Sequence, residues 1–163
     1  METVLFILFG AIAVCGAIMV VTRKHPMASA LYLILSLFAV AALFVLRQAH
    51  FLAAVQVIVY AGAVVVLFVF VIMLINLPED RLPVERVTAT RVLGVIAAGL
   101  FLLESAVLAR RFAMSKVPAP AVGTVEAVGR ALFTDYLLAF EITSVLLLAA
   151  VIGAIALAKR GRI

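Results

Sequence analysis

Charge is what this sequence has least of. Asp, Glu, Lys and Arg make up 13% of its 163 residues, about half their share in a soluble globular domain. With 68% of the residues hydrophobic, no soluble fold could bury what the chain carries, so it reads as an integral membrane protein. Cysteine is nearly absent. Cys15 stands alone inside the first apolar run, and one thiol cannot make an internal disulfide, a zinc site or an iron–sulfur site. Val14 precedes it, which is not a lipoprotein cleavage signal. There are two histidines, His25 and His50, beyond opposite ends of the second apolar run. About 30 Å of helix separates them, so they cannot share one haem.

Other absences narrow the function. No internal repeat is visible, and no inverted pair of broken helices of the kind that builds secondary transporters. The segments between apolar runs are too short for a catalytic domain. The net charge of +5 does not point to nucleic acid, because that needs a clustered basic face. Here Lys and Arg fall in short groups between apolar runs, the pattern that sets membrane topology. The first run leads with Glu2 and is followed by Arg23 and Lys24, the reverse of a secretory signal, so it is expected to stay as a span.

What is present is a series of apolar runs over residues 3–21, 28–46, 51–77, 92–109 and 136–158. Each can cross a hydrocarbon core of about 30 Å as a helix. Backbone groups in lipid must be satisfied within the segment, which overrides the strand-like Val and Ile content of the third run. The expectation is an all-α fold, one membrane domain over residues 1–163 with five transmembrane helices. Pro26 is placed to open the second helix. Arg47-Gln48-Ala49-His50 reads as a tight turn, and the stretch from Pro78 to Pro83 as the end of the third helix. The longest connection holds Pro118, Pro120 and Gly123, then a short interfacial helix over 125–132. Arg23, Lys24, Arg81, Arg86, Arg91, Lys159, Arg160 and Arg162 fall on one side; Arg47, Arg110, Arg111, Lys116 and Arg130 fall on the other. The positive-inside bias therefore puts the N-terminus in the periplasm and the C-terminus in the cytoplasm.

Polar residues inside the spans mark where chemistry could sit. Counting along the runs, Gln56, Glu104 and Glu141 each lie about five residues from the outer side, roughly 8 Å deep. Ser144 shares a face with Glu141 one turn along, and Ser105 follows Glu104. These residues fit either a proton or water path or polar contacts that fix helix packing. The third run, 51–77, is the longest and carries no charge. Gln56 and Tyr60 share a face that continues to Ala63 and Val64. Gly62 weakens the helix locally and lets a neighbour approach closely. Read from the residues alone, a packing notch is ahead. A weak point at mid-membrane is also where an extra residue, a π-bulge, is most easily inserted. Such a bulge rotates all that follows by about 100° and would swing Leu67 and Phe68.

The run Gln56-Val-Ile-Val-Tyr60-Ala-Gly62-Ala-Val-Val-Val-Leu-Phe68-Val-Phe70, followed by Met73-Leu-Ile-Asn76-Leu, resembles the third helix of the subunit J family of bacterial NADH–quinone oxidoreductase (respiratory complex I). The mitochondrial counterpart is subunit 6 of NADH dehydrogenase. His25-Pro26-Met-Ala-Ser-Ala-Leu-Tyr32-Leu and the segment from Gly129 to Ser144 carry the same resemblance. It covers nearly the whole chain and is weakest in the fourth helix and the loops.

The resemblance implies a five-helix, non-catalytic subunit of a proton-pumping NADH dehydrogenase in the bacterial inner membrane. No cofactor is expected on this chain; NADH, FMN, iron–sulfur clusters and a quinone would be used through other subunits. The implied partners are the hydrophobic quinone-channel and antiporter-like subunits, with membrane lipid around them and no nucleic acid. It further implies a π-bulge around Tyr60, Ala61, Gly62, Ala63 and Val64, with Phe68 as a moving part. Conversion of that bulge to a regular helix would gate a water wire lined by candidates Gln56, Glu104, Glu141 and Ser144. Some members carry glutamate where this chain has Gln56, and an amide hydrogen-bonds without carrying a proton. The resemblance thus puts the gate ahead of the notch.

Overall fold

A computed structural model describes residues 1–75, 89–114 and 123–159. The described residues are helical, with six helices. Five of them are α1 (Glu2–Thr22), α2 (Pro26–Leu46), α3 (His50–Ile75), α4 (Ala89–Met114) and α6 (Leu137–Lys159). Each is long and apolar enough to cross a membrane. The sixth, α5 (Val125–Phe133), is a two-turn helix before α6. The expected third-helix end at Leu77 and the prolines Pro118 and Pro120 lie outside the described residues. The polar loop expected to run from Pro78 to Arg91 ends sooner, because α4 already begins at Ala89.

Local chemistry accounts for the boundaries. Pro26 occupies the first turn of α2, where its missing N–H breaks no helical bond. Between α2 and α3, Gln48 adopts a left-handed conformation at φ 59°. The N–H of Ala49 then returns to the Phe44 carbonyl at 2.9 Å, which closes the corner and satisfies one of the last carbonyls of α2. Thr124 caps α5, its hydroxyl oxygen accepting from the Ala127 N–H at 3.2 Å. α4 runs past the apolar run 92–109 at both ends. Its polar turns continue the helix because a helix end need not coincide with the edge of its apolar stretch.

α1 and α2 form the tightest pair. Gly16 is buried, and a Cβ there would stand 3.1 Å from the Ser36 Cβ and 3.3 Å from the Tyr32 carbonyl oxygen. The Ser36 hydroxyl donates to the Ala13 carbonyl at 2.9 Å across the same contact. Small residues that admit a close backbone approach, joined by an interhelical hydrogen bond, are the usual means of holding helices in lipid. At the connecting end the Arg23 guanidinium lies 5.4 Å from the centre of the Tyr32 ring.

α3 packs on α2. The buried residues of the pair are small: Ala30, Ala39 and Ala41 on α2, and Ala53, Ala61 and Val65 on α3. Neither α4 nor α6 forms a packed interface with α1, α2 or α3 among the described residues. Their spans carry no buried residue. α5 folds against the start of α6, with Phe133 and Phe140 edge to face at 5.1 Å. Gly123, just before α5, rests on the α2–α3 corner; a Cβ there would stand 3.1 Å from the Ala49 Cα.

Candidate functional site

The centre of α3 is not an α-helix. Residues Gln56–Val64 form a π-helical segment between the α-helical stretches His50–Val55 and Val65–Ile75. The Val65 N–H reaches back to the Tyr60 carbonyl, five residues earlier, and to that of Gly62. A five-residue step is the hydrogen bond of a π-turn and requires one residue more than an α-turn holds. The sequence expectation centres the bulge on Tyr60 to Val64; the widened segment starts earlier, at Gln56.

Packing explains why α3 tolerates the wider turn. In an α-helix each step of four residues advances about 40° beyond a full turn, so an every-fourth stripe drifts off its neighbour. A wider turn rotates less per residue and reduces that drift. Ala53, Ala61 and Val65 are all buried, with Val57 half-buried between them. The four-residue stripe thus stays on the packed side through the π segment. Gly62 lies off it and has no described atom of a neighbouring helix within 4 Å of where its Cβ would be, so the close approach expected there is not found. A Cβ on Gly62 would stand 3.2 Å from the Val57 carbonyl oxygen.

One residue round from that stripe runs Gln56, Tyr60, Val64 and Phe68. Gln56 is half-buried, while Tyr60, Val64 and Phe68 are 52%, 52% and 49% exposed. Ala61 is buried, Gly62 half-buried and Ala63 exposed. The Gln56 amide and the Tyr60 hydroxyl make no hydrogen bond with another described residue. This uncommitted polar pair sits in the half of α3 next to the α2–α3 corner.

The other candidates do not join it. Glu104 is exposed on α4, flanked by Leu103, Val107 and Leu108 around a shallow hollow of about 320 Å³. α4 continues to Met114, so Glu104 is ten residues, about 15 Å, from that end. Glu141 is exposed near the start of α6. The contact of Gly123 with Ala49 puts the entry to α5 at the same end as the entry to α3. Gln56 and Glu141 sit about 9 and 6 Å from the first residues of their own helices. The Ser144 hydroxyl donates to the backbone carbonyl of Glu141 at 2.7 Å, not to its carboxylate. Neither glutamate is ion-paired with another described residue.

Among the described residues no three His, Cys, Asp or Glu side chains converge as a metal site. Cys15 lies exposed on α1, alone. One cysteine cannot hold an iron–sulfur cluster. What sequence reasoning missed is the role of Val57 and the extension of the π segment back to Gln56. The available signal was the four-residue recurrence of Ala53, Val57, Ala61 and Val65.

Comparison with known proteins is consistent along most of the chain. Residues 16–157 match the family described as NADH-ubiquinone/plastoquinone oxidoreductase chain 6. The chain is similar to NADH-quinone oxidoreductase subunit J of Rhodobacter capsulatus, at 39% identity over 96% of the chain and 81% of that protein. It is 36% identical to NADH-quinone oxidoreductase subunit J of Escherichia coli strain K12, over 96% of the chain and 86% of that protein. It is 44% identical to NAD(P)H-quinone oxidoreductase chain 6 of a Nostoc species, over 74% of the chain and 61% of that longer protein.

Proposed function

The chain belongs to the NADH-ubiquinone/plastoquinone oxidoreductase chain 6 family, and from that premise we propose that its third helix gates a water path coupling quinone reduction to proton translocation. It is a subunit of an NADH–quinone oxidoreductase and a multi-pass protein of the bacterial inner membrane. It contributes to an oxidoreductase complex rather than acting as a stand-alone enzyme. NADH, FMN, iron–sulfur clusters and the quinone would be handled by other subunits. The partners proposed are the quinone-channel subunit and the antiporter-like subunits, with α4 and α6 as the helices that meet them.

The observation that carries the reading is the π segment Gln56–Val64 in the middle of α3. Narrowing it to an α-helix would release one residue and rotate the helix beyond it by about 100°. Val64 and Phe68, exposed along one stripe, are the side chains that such a rotation sweeps furthest. Tyr60 and Gln56 offer a hydroxyl and an amide to ordered water at the same place. Glu141, entering from the same end, would supply a hydrated carboxylate, with Glu104 and Ser144 as further candidates. The N-terminus is proposed to face the periplasm and the C-terminus the cytoplasm.

A second reading, a packing subunit without a gate, draws support from the small buried residues Ala53, Ala61 and Val65. In that case conservative changes at Tyr60 and Glu141 would alter assembly alone. The deciding experiment replaces Gly62 by Val or Leu and measures NADH–quinone turnover and proton pumping in vesicles. The gate predicts that turnover and proton pumping fall together in a fully assembled complex; unchanged turnover and pumping would remove it.

A further inference from the structure

At the connecting end of the α1–α2 hairpin lies an open groove of about 720 Å³. Arg23, Lys24 and His25 line its polar side, and Met27, Leu31 and Tyr32 line the other. Among the described residues no carboxylate lines it. The Arg23 guanidinium is held over the Tyr32 ring, and its Nη2 lies 3.4 Å from the Tyr32 hydroxyl. A guanidinium has five N–H donors, so this contact fixes the group and leaves most of its donors open. Lys24 is exposed beside it.

The groove sits where two spans end, at the level of lipid headgroups, and not at the π segment. Met27 and Leu31 are 40% and 65% exposed on the first turns of α2, directly below the basic residues. A ligand seated here meets fixed positive charge at one end and bare hydrocarbon at the other. Free inorganic phosphate would satisfy only the first. An anionic glycerophospholipid satisfies both, with its phosphate on Arg23 and Lys24 and its acyl chain along Met27 and Leu31.

We propose that this groove is a binding site for the headgroup phosphate of an anionic phospholipid. Such a site would anchor the α1–α2 hairpin at a set height in the bilayer, independently of the path through α3. Each Lys or Arg near an anionic lipid surface contributes about 1 kcal/mol, roughly fivefold in affinity.

The test uses the purified complex and a phosphatidylglycerol analogue bearing a photoreactive group near its headgroup. The expected result is labelling of the peptide spanning residues 22–32 that falls about fivefold in Lys24→Gln. Lys24→Arg should restore it. Lys24→Gln leaves the Arg23–Tyr32 contact intact, and its assembly can be verified on a native gel. Three results would overturn the site. These are equal labelling by a phosphatidylcholine analogue bearing its reactive group at the same place, labelling unchanged in Lys24→Gln, and loss of labelling when inorganic phosphate is added at constant ionic strength. The last would identify a free-anion site.

Discussion

The carbonyl oxygen of Val57 lies 3.2 Å from the place a Cβ on Gly62 would occupy. Five residues separate the two, the spacing of the π-turn itself. Position 62 is therefore where the side chain bears on the width of the helix. Gly62→Ala asks the Val57 carbonyl to give by a few tenths of an ångström. Gly62→Val adds a β-branched side chain, a Cβ with two methyl groups, at the same point, and its χ1 is stiff in a helix. If strain falls on one of two helix states, about 1.4 kcal/mol shifts their ratio tenfold. Turnover of NADH with quinone should fall modestly in Gly62→Ala and about tenfold or more in Gly62→Val, with proton pumping falling in step. The assembled complex should be present in both.

The α1–α2 clamp gives a prediction about stability instead of turnover. Ser36→Ala removes the 2.9 Å hydrogen bond to the Ala13 carbonyl, worth about 0.6 kcal/mol for a typical interhelical bond in a membrane protein. A small drop in the thermal midpoint of the purified complex should result. Gly16→Leu meets the Ser36 Cβ and the Tyr32 carbonyl, one of them backbone that cannot swing away. That variant should separate the hairpin, and the subunit should be missing from the complex on a native gel.

Glu141 and Glu104 should respond differently to neutralisation. Glu141 is proposed to enter from the same end of the fold as Gln56, whereas Glu104 is flanked by Leu103, Val107 and Leu108 about 15 Å from the end of α4. Glu141→Gln is expected to lower coupled turnover several-fold in vesicles. Glu104→Gln should leave it within about twofold, the range of a contact on the edge of a path.

Topology can be read with a single thiol. In a Cys15→Ser background, Lys24→Cys should react with a membrane-impermeant maleimide only after the cytoplasmic face is opened. Gln48→Cys should react from the periplasmic face of intact cells. The opposite pattern would reverse the orientation drawn from the excess of Lys and Arg on one side.

Much of the architecture was legible because lipid leaves few choices. A run of about 20 apolar residues has to be a helix, and Pro26 marked where α2 begins. Gly62 marked a weak point in the longest run, and the π segment includes it. The segment's start at Gln56 was hidden, because it depends on which carbonyl each N–H selects and not on composition. The isolation of α4 and α6 was hidden for a different reason. In both, the apolar residues are spread all round the helix, so no face of either announces a neighbour. The α2–α3 corner also kept its secret: nothing in Gln48 or Gly123 alone foretells that Gly123 will rest on Ala49.

The separation of α4 and α6 from the three-helix core bears on how the protein is made. α1, α2 and α3 are consecutive and find each other through short connections, so this part can assemble while the ribosome is still delivering the rest. Among the described residues α4 and α6 gain no such shelter, and each brings a carboxylate into the bilayer without a described partner. A copy synthesised in excess of its neighbours would remain half-finished, offering two helices with exposed glutamates to the membrane's quality-control proteases. The amount of this protein in the cell should therefore follow the supply of the subunits it joins, however strongly its own message is translated.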